Sequence, residues 1–294
     1  MSAEAVIGSL VSGLSTGMVF FLAAAGLSVI FGTLDIINLA HGSFYMLGTF
    51  FCFQLTMWLG SLPGLYWWSV LLAPIGVAVV GSLVEMIFLR RIYDTHMLYQ
   101  LILTFALILI IEELCKFIWG VGYHNISVPW PLAGSVAIGK IRFAVYNLFL
   151  IGFGVAMFVG LQGLFHYTGL GKTIRAVTFH KEMAGALGVN VPLVYTGVFM
   201  LGCWLAGLAG VLMAPMTVVK LGADLDVLLN CFIVVVIGGL GSLPGAFIGA
   251  IILGLVTSFG IAILPGMAIV FGFMLMAIIL IIRPYGLMGK RSEQ

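Results

Sequence analysis

Charge is what this sequence has least of. Only 7% of its 294 residues are Asp, Glu, Lys or Arg, where a soluble domain carries about 25%. Apolar residues make up 63% and the mean hydropathy is +1.25. There is too little polar surface to cover such a chain in water, which excludes a soluble globular protein. Cysteine is also scarce. Cys52, Cys115, Cys203 and Cys231 lie apart in apolar stretches with no CxxC pair. That excludes the usual zinc and disulfide spacings and suits small buried hydrophobes. The first residues carry Glu4 but no Lys or Arg, so no cleavable signal peptide is expected. The net charge of +2 gives no reason to expect nucleic acid as a partner.

What is present is a series of apolar runs, each continuous for about 20 residues, the length that crosses a bilayer as a helix. Barrel strands would alternate apolar and polar residues instead. In lipid every backbone N–H and C=O must be paired within the protein. The expected fold is therefore an all-α polytopic membrane protein of about 8–9 transmembrane helices with discontinuous segments. Residues 1–294 form one transmembrane domain, within which 168–190 is a polar cytoplasmic loop. Turns are expected at Ser61-Leu-Pro63-Gly64 and in the Gly- and Pro-rich stretch from Gly120 to Lys140. Arg90 and Arg91, then Lys172, Arg175 and Lys181, then Arg283, Lys290 and Arg291 mark cytoplasmic ends by the positive-inside rule. They fit an odd number of crossings, with the N-terminus outside and the C-terminus inside. Lys140 and Arg142 dissent.

Two places break the apolar pattern. The first is Asp35-Ile-Ile-Asn38-Leu-Ala-His41-Gly42-Ser43. It is either a loop at the membrane surface or a discontinuous helix lining a polar cavity. The absence of Lys, Arg and Pro favours the second, because irregular backbone at membrane depth survives only against protein or water. The second break runs from Gly238 and Gly239 through Gly241, Ser242, Pro244 and Gly245 to Gly249. Glycines four residues apart allow close helix approach, whereas Gly238-Gly239 and Pro244 interrupt a helix. Paired interruptions in the two halves of a transporter point to a central path. Asn38, His41, Gly42, Ser43, Gly238, Gly239, Gly241, Ser242 and Gly245 are the candidate path residues. His41 is equally open to a structural role, bonded across helices.

The polar segment from Thr168 to Asn190 contains Gly171-Lys172-Thr173, but a phosphate-binding loop needs Gly where His166 stands. This chain is not expected to bind ATP. Arg175, Ala176, Phe179, Ala184 and Leu187 are candidates for one face of a short surface helix. Glu112 or Glu113 can pair with Lys116 one turn away, and Asp224 and Asp226 suit an N-terminal cap. No apolar run shows a buried charged pair or an ion-coupling carboxylate at mid-span, as an ion-coupled secondary transporter or channel requires. No acid–base or metal-ligand spacing supports an enzyme.

The residues resemble those of a known family, the permease subunits of ABC importers for branched-chain amino acids. Gly26 to Gly32 leads into Ile37-Asn38-Leu-Ala-His41-Gly42-Ser43 and on to Gly48. Arg175-Ala176 is followed by Ala184 and Gly188-Val-Asn190. Phe199 to Gly210, Ile237 to Gly249 and Arg283-Pro284-Tyr-Gly286-Leu-Met-Gly289 complete the match in order along nearly the whole chain. The resemblance implies that the cytoplasmic loop couples to an ATPase through Arg175, Ala176, Glu182, Ala184 and Gly188. Met183 departs from the family's Glu-Ala-Ala-x-x-x-Gly core. It further implies a bacterial inner-membrane protein with no cofactor of its own and no enzymatic activity. Its partners would be a second homologous permease or a second copy, two ATPase subunits that bind ATP and Mg, and a periplasmic solute-binding protein. Branched-chain or related amino acids are the implied cargo. Urea, amides and aromatic acids are carried by the same family.

Overall fold

The computed structural model describes residues 3–59, 64–93, 95–138 and 141–289. The expected turn at Ser61–Pro63, Lys140 and the basic pair Lys290-Arg291 lie outside the described residues. The apolar runs become α1 (Ala3–Leu34), α2 (His41–Leu59), α3 (Leu65–Ile87), α4 (Met97–Trp119) and α5 (Val145–Tyr167). After the polar segment, α6 (Gly169–Phe179) and α7 (Lys181–Ala186), come α8 (Val191–Met213), α9 (Ala223–Gly238), α10 (Leu243–Ile263) and α11 (Ala268–Ile282). Five stretches, containing α1, α3, α5, α8 and α10, are long and apolar enough to cross a membrane, and α11 is a shorter apolar helix. The chain is an all-α polytopic membrane protein.

The stretch expected to be only a loop after α4 contains a hairpin. Strands β1 (Ser135–Ile138) and β2 (Ile141–Ala144) pair antiparallel, with Val136 opposite Phe143. β-branched and aromatic side chains suit that ladder, a local preference masked in the sequence by the neighbouring Gly and Pro. The same stretch is tied to the α8–α9 connection by a two-way backbone bridge. His124 N donates to Val219 O at 3.0 Å and Val219 N to His124 O at 2.9 Å.

α8 and α1 form the centre. α8 is buried almost continuously from Val198 to Leu212. Lipid tails are as apolar as leucine, so helices associate by close packing rather than by water exclusion, and small residues let backbones meet. α1 and α10 run antiparallel along such a seam. A Cβ at Gly17 would come 2.8 Å from Ala250 O, and one at Gly13 2.9 Å from Leu255 Cα. Aromatic rings fill the flank, where Phe158 stacks on Phe247 at 4.2 Å and Phe21 meets Phe247 edge-on at 5.1 Å. At the end of α8, two tyrosines from other helices take up free carbonyls. Tyr66 Oη donates to Val211 O at 3.1 Å and Tyr146 Oη to Leu212 O at 2.7 Å.

The opposite end of the bundle holds an unexpected buried carboxylate. Glu85, near the end of α3, is fully buried. It accepts from Tyr93 Oη at 2.6 Å and from Thr196 Oγ1 of α8 at 2.6 Å, and Arg90 lies 3.6 Å away. Burial, with the bonded carboxylate, raises the Tyr93 phenol far above its ordinary range, so Tyr93 stays a donor at any physiological pH. By contrast, Lys116 pairs with Glu113 at 3.0 Å as an exposed one-turn pair, worth little. The Glu85 cluster locks the α3–α4 connection onto α8. Glu85→Ala strands the Tyr93 hydroxyl, leaves Arg90 without its carboxylate and is expected to cost about 3 kcal/mol, whereas Glu113→Ala costs a few tenths. Thermal unfolding of the two variants in detergent measures the contrast.

Candidate functional site

The first break is a re-entrant segment. α1 continues to Leu34, and Asp35 then adopts a left-handed conformation with φ 57°, which an aspartate tolerates better than most residues. The chain doubles back along α1 and starts α2 at His41, whose Nε2 donates to Ala23 O at 2.8 Å. Ala23 is eleven residues before the end of α1, about 16 Å at the helical rise. α2 therefore begins deep within the bundle. Asn38 makes this start possible. Its Oδ1 accepts from Ala40 N at 3.1 Å, and its carbonyl accepts from His41 N at 3.2 Å. Asn38, His41 and Ser43 are all fully buried. The surface-loop reading is thereby overturned.

A second helix starts at the same depth. α9 begins beside Gly42, where any side chain would collide with the Asp224 backbone. Ser43 Oγ donates to Asp224 Oδ2 at 3.1 Å. Asp224 is buried and is not a cap. The cap position belongs to Gly222, at φ 81° and without a side-chain bond, while Asp226 is exposed. The expectation of a paired aspartate cap is corrected. Asp224 instead bridges two helix N-termini, whose partial positive charge favours a carboxylate. Sequence reasoning missed it because the serine that contacts it lies 181 residues away. Four buried polar atoms here or close by have no partner: Ser28 Oγ, Asn38 Nδ2, His41 Nδ1 and Asp224 Oδ1. The sequence showed no buried carboxylate in an apolar run, and Asp224 and Glu85 are both buried carboxylates.

The second break is built differently. α9 ends at Gly238, and Gly239 and Gly241 take φ 101° and 74°, open to glycine without strain. Ser242 then caps α10, its Oγ accepting from Gly245 N at 3.1 Å, with Pro244 in the first turn. Gly241 packs on α1, where a Cβ at Gly32 would lie 2.9 Å from its Cα. The segment after α11 closes the end of α9. Leu287 N donates to Ile237 O at 2.8 Å and Met288 N to Gly238 O at 2.9 Å.

Two cavities lie on either side of the α2–α9 junction. The one on the α6 side, called the inner cavity for that position, about 720 Å³, is lined by Ser28, Gly32, Asp35, Arg175, Gly241 and Ser242 among others. It brings together one candidate coupling residue and two candidate path residues. Asp35, the first residue of the first break, also lines it, with Gln162 and His166, which nothing in the sequence pattern marks for the path. The outer one, about 170 Å³, is lined by α1, α2, α9 and the α8–α9 connection. Asn38, His41, Gly42, Ser43, Gly238, Gly239 and Gly245 line neither cavity.

The polar segment is two helices rather than one. Thr168 caps α6, accepting from Gly171 N at 3.1 Å, and Arg175 Nη1 donates to Phe165 O, the carbonyl of a residue near the end of α5. α7 is closed by a pair of turn bonds. Gly188 N donates to Gly185 O and Val189 N to Ala184 O, both at 3.0 Å. This is the Schellman arrangement, which requires the φ of 88° seen at Gly188. Glu182 sits exposed in the first turn, Ala184 is buried, and Ala176 is exposed. The expected common face therefore splits, because Phe179 and Leu187 point outward while Ala184 points in. Among the described residues no group of His, Cys, Asp and Glu could hold a metal ion. Gly42→Val forces α2 and α9 apart. It is expected to destabilise the chain by about 3 kcal/mol or more, whereas Ser43→Ala costs about 1 kcal/mol. Unfolding midpoints in detergent measure both.

Residues 9–282 match the model of a family described as branched-chain amino acid transport system, permease component. The chain is 26% identical to the high-affinity branched-chain amino acid transport system permease protein BraD of Pseudomonas aeruginosa, over 96% of this chain and 95% of that one. It is 26% identical to LivH of Escherichia coli K12, over 95% and 94%. It is 27% identical to a probable branched-chain amino acid transport permease protein LivH of Methanocaldococcus jannaschii, over 91% and 88%. No solved structure matches it significantly. With an apolar helix bundle broken inside its own core and a match over nearly its whole length, this chain belongs to the branched-chain amino acid transport permease family.

Proposed function

We propose that this chain is the membrane permease of an ATP-driven importer, carrying branched-chain or related amino acids across the bacterial inner membrane. The observation that carries the reading is the α6–α7 pair. It exposes Leu170, Phe179, Met183 and Leu187 although it is the most polar part of the fold, and the chain has no nucleotide-binding loop. An exposed apolar helical surface of this kind marks a docking site, and separate ATPase subunits holding ATP and Mg are its occupants. Met183, the departure from the family core, is one of the exposed residues and so belongs to the docking face.

Arg90, Arg91, Lys172, Arg175 and Arg283 lie at the ends of α3 and α11 and on α6. Their common sign supports a cytoplasmic position for this end. The N-terminus is then outside and the C-terminus inside. A periplasmic binding protein delivers cargo to the outer face, and a second homologous permease completes the pair. The path runs from the outer to the inner cavity past the α2–α9 junction and the Gly238–Gly245 turn. ATPase closure moves α6. Arg175 carries that movement to the wall it shares with Gly241 and Ser242, and its bond to Phe165 O ties it to α5.

One observation favours a second reading. Asp224 is a carboxylate buried at mid-depth, as an ion-coupled carrier requires. The two readings part in proteoliposomes. In the importer reading, the full assembly takes up leucine only with ATP, and Gly188→Trp abolishes uptake by straining the α7 cap and obstructing the docking face. Concentrative uptake by the purified chain alone, without ATPase subunits, would sink the importer reading and support the carrier.

A further inference from the structure

The outer cavity has the features of an amino-acid site. Its walls are apolar, from Val19, Phe20 and Ala23 on α1, Met213 on α8 and Val227 on α9. Its volume of about 170 Å³ is close to that of an apolar cavity of about 150 Å³ known to hold benzene. That is room for an aliphatic side chain but not for a nucleotide. Two opposite charges also line it, Lys220 and Asp226. Both are exposed, and neither makes an ion pair or a side-chain hydrogen bond among the described residues. Ala223, Asp226 and Val227 share one face of α9 by helical spacing. Lys220 reaches the same cavity from the connection that precedes it. Tyr45 is 6% exposed and lines the cavity, and its hydroxyl bonds no other described residue.

Unpaired charges of opposite sign at an apolar cavity are complementary to a zwitterion with an aliphatic side chain. We infer that the outer cavity is a substrate site of the permease itself for an α-amino acid. The carboxylate lies toward Lys220, the ammonium toward Asp226, and the aliphatic side chain among Val19, Phe20, Ala23 and Val227. The inference rests on the importer reading for its substrate class. It adds a second selection step, so that specificity is not left wholly to a binding protein. Ala23 lines this cavity and also accepts the His41 bond, so an occupant would press directly on the helix that anchors the α2 start.

The test is equilibrium binding of radiolabelled L-leucine to the full chain in lipid nanodiscs without partner subunits. Two probes lack one charge each: isocaproate lacks the ammonium and isoamylamine the carboxylate. Saturable leucine binding is expected, weakened about tenfold or more by Lys220→Met and by Asp226→Asn. Lys220→Met is expected to leave isoamylamine binding unchanged, and Asp226→Asn to leave isocaproate binding unchanged. A variant that merely distorted the fold would weaken all three probes together, and that pattern overturns the inference. So does wild-type protein without saturable leucine binding, or a leucine affinity untouched by both substitutions. The same preparation is then assembled with its ATPases and binding protein. ATP-dependent leucine uptake without binding to the permease alone overturns the site and leaves the importer standing. Absence of ATP-dependent uptake of any amino acid overturns the importer reading.

Discussion

In a medium without water, a backbone N–H or C=O left without a partner costs several kcal/mol. The simplest response is an unbroken helix from one face to the other. This chain breaks its helices within the bundle, and each break is accompanied by side chains or backbone that take up the freed groups. Asn38 supports the start of α2 and Ser242 the start of α10. Tyr66 and Tyr146 take the carbonyls at the end of α8, and Leu287 and Met288 those at the end of α9. Asn38, Tyr66, Tyr146 and Ser242 owe their places to this need. Their positions follow from where the helices stop.

The α2–α9 junction follows the same rule with charge added. Two helix N-termini meet at one depth, and the partial positive charge of each is directed at the other. Asp224 sits between them and bonds Ser43. A neutral residue there would leave the two dipoles opposed without compensation. The close approach of the two starts also explains why position 42 is glycine, since a side chain would occupy the space of the Asp224 backbone. The junction divides the bundle into an outer cavity and a larger inner one, and the polar helix α6 borders the inner one alone.

Much of this was legible in the sequence. The apolar runs gave the long helices because nothing else satisfies a backbone in lipid. The break at Asp35–Ser43 was visible because its polar residues had no reason to sit in an apolar stretch. The roles of individual residues were harder to read. Asp224 looked like a cap because its neighbours in sequence allow that, and its true partner is distant. Glu85 stands near a helix end in the sequence, and only the fold brings Thr196 and Tyr93 to it. Asn38, His41, Gly42 and Ser43 stood out as polar or small at membrane depth. Sequence could not tell whether such groups face an open path or one another across a helix junction, because both demands select the same residue types.

The capping of α9 by the segment beyond α11 bears on the order in which the fold can be completed. A chain emerging from the ribosome inserts α9 and α10 before residues 283–289 exist. Until then, the carbonyls of Ile237 and Gly238 lack the donors that the finished protein supplies. The inner end of α9 is thus left frayed during synthesis and sealed only when Leu287 and Met288 arrive. Membrane insertion and final assembly are separate events at this spot. A chain interrupted after α11 would hold its spans in the membrane while still showing an open helix end, with the carbonyls of Ile237 and Gly238 lacking these two donors.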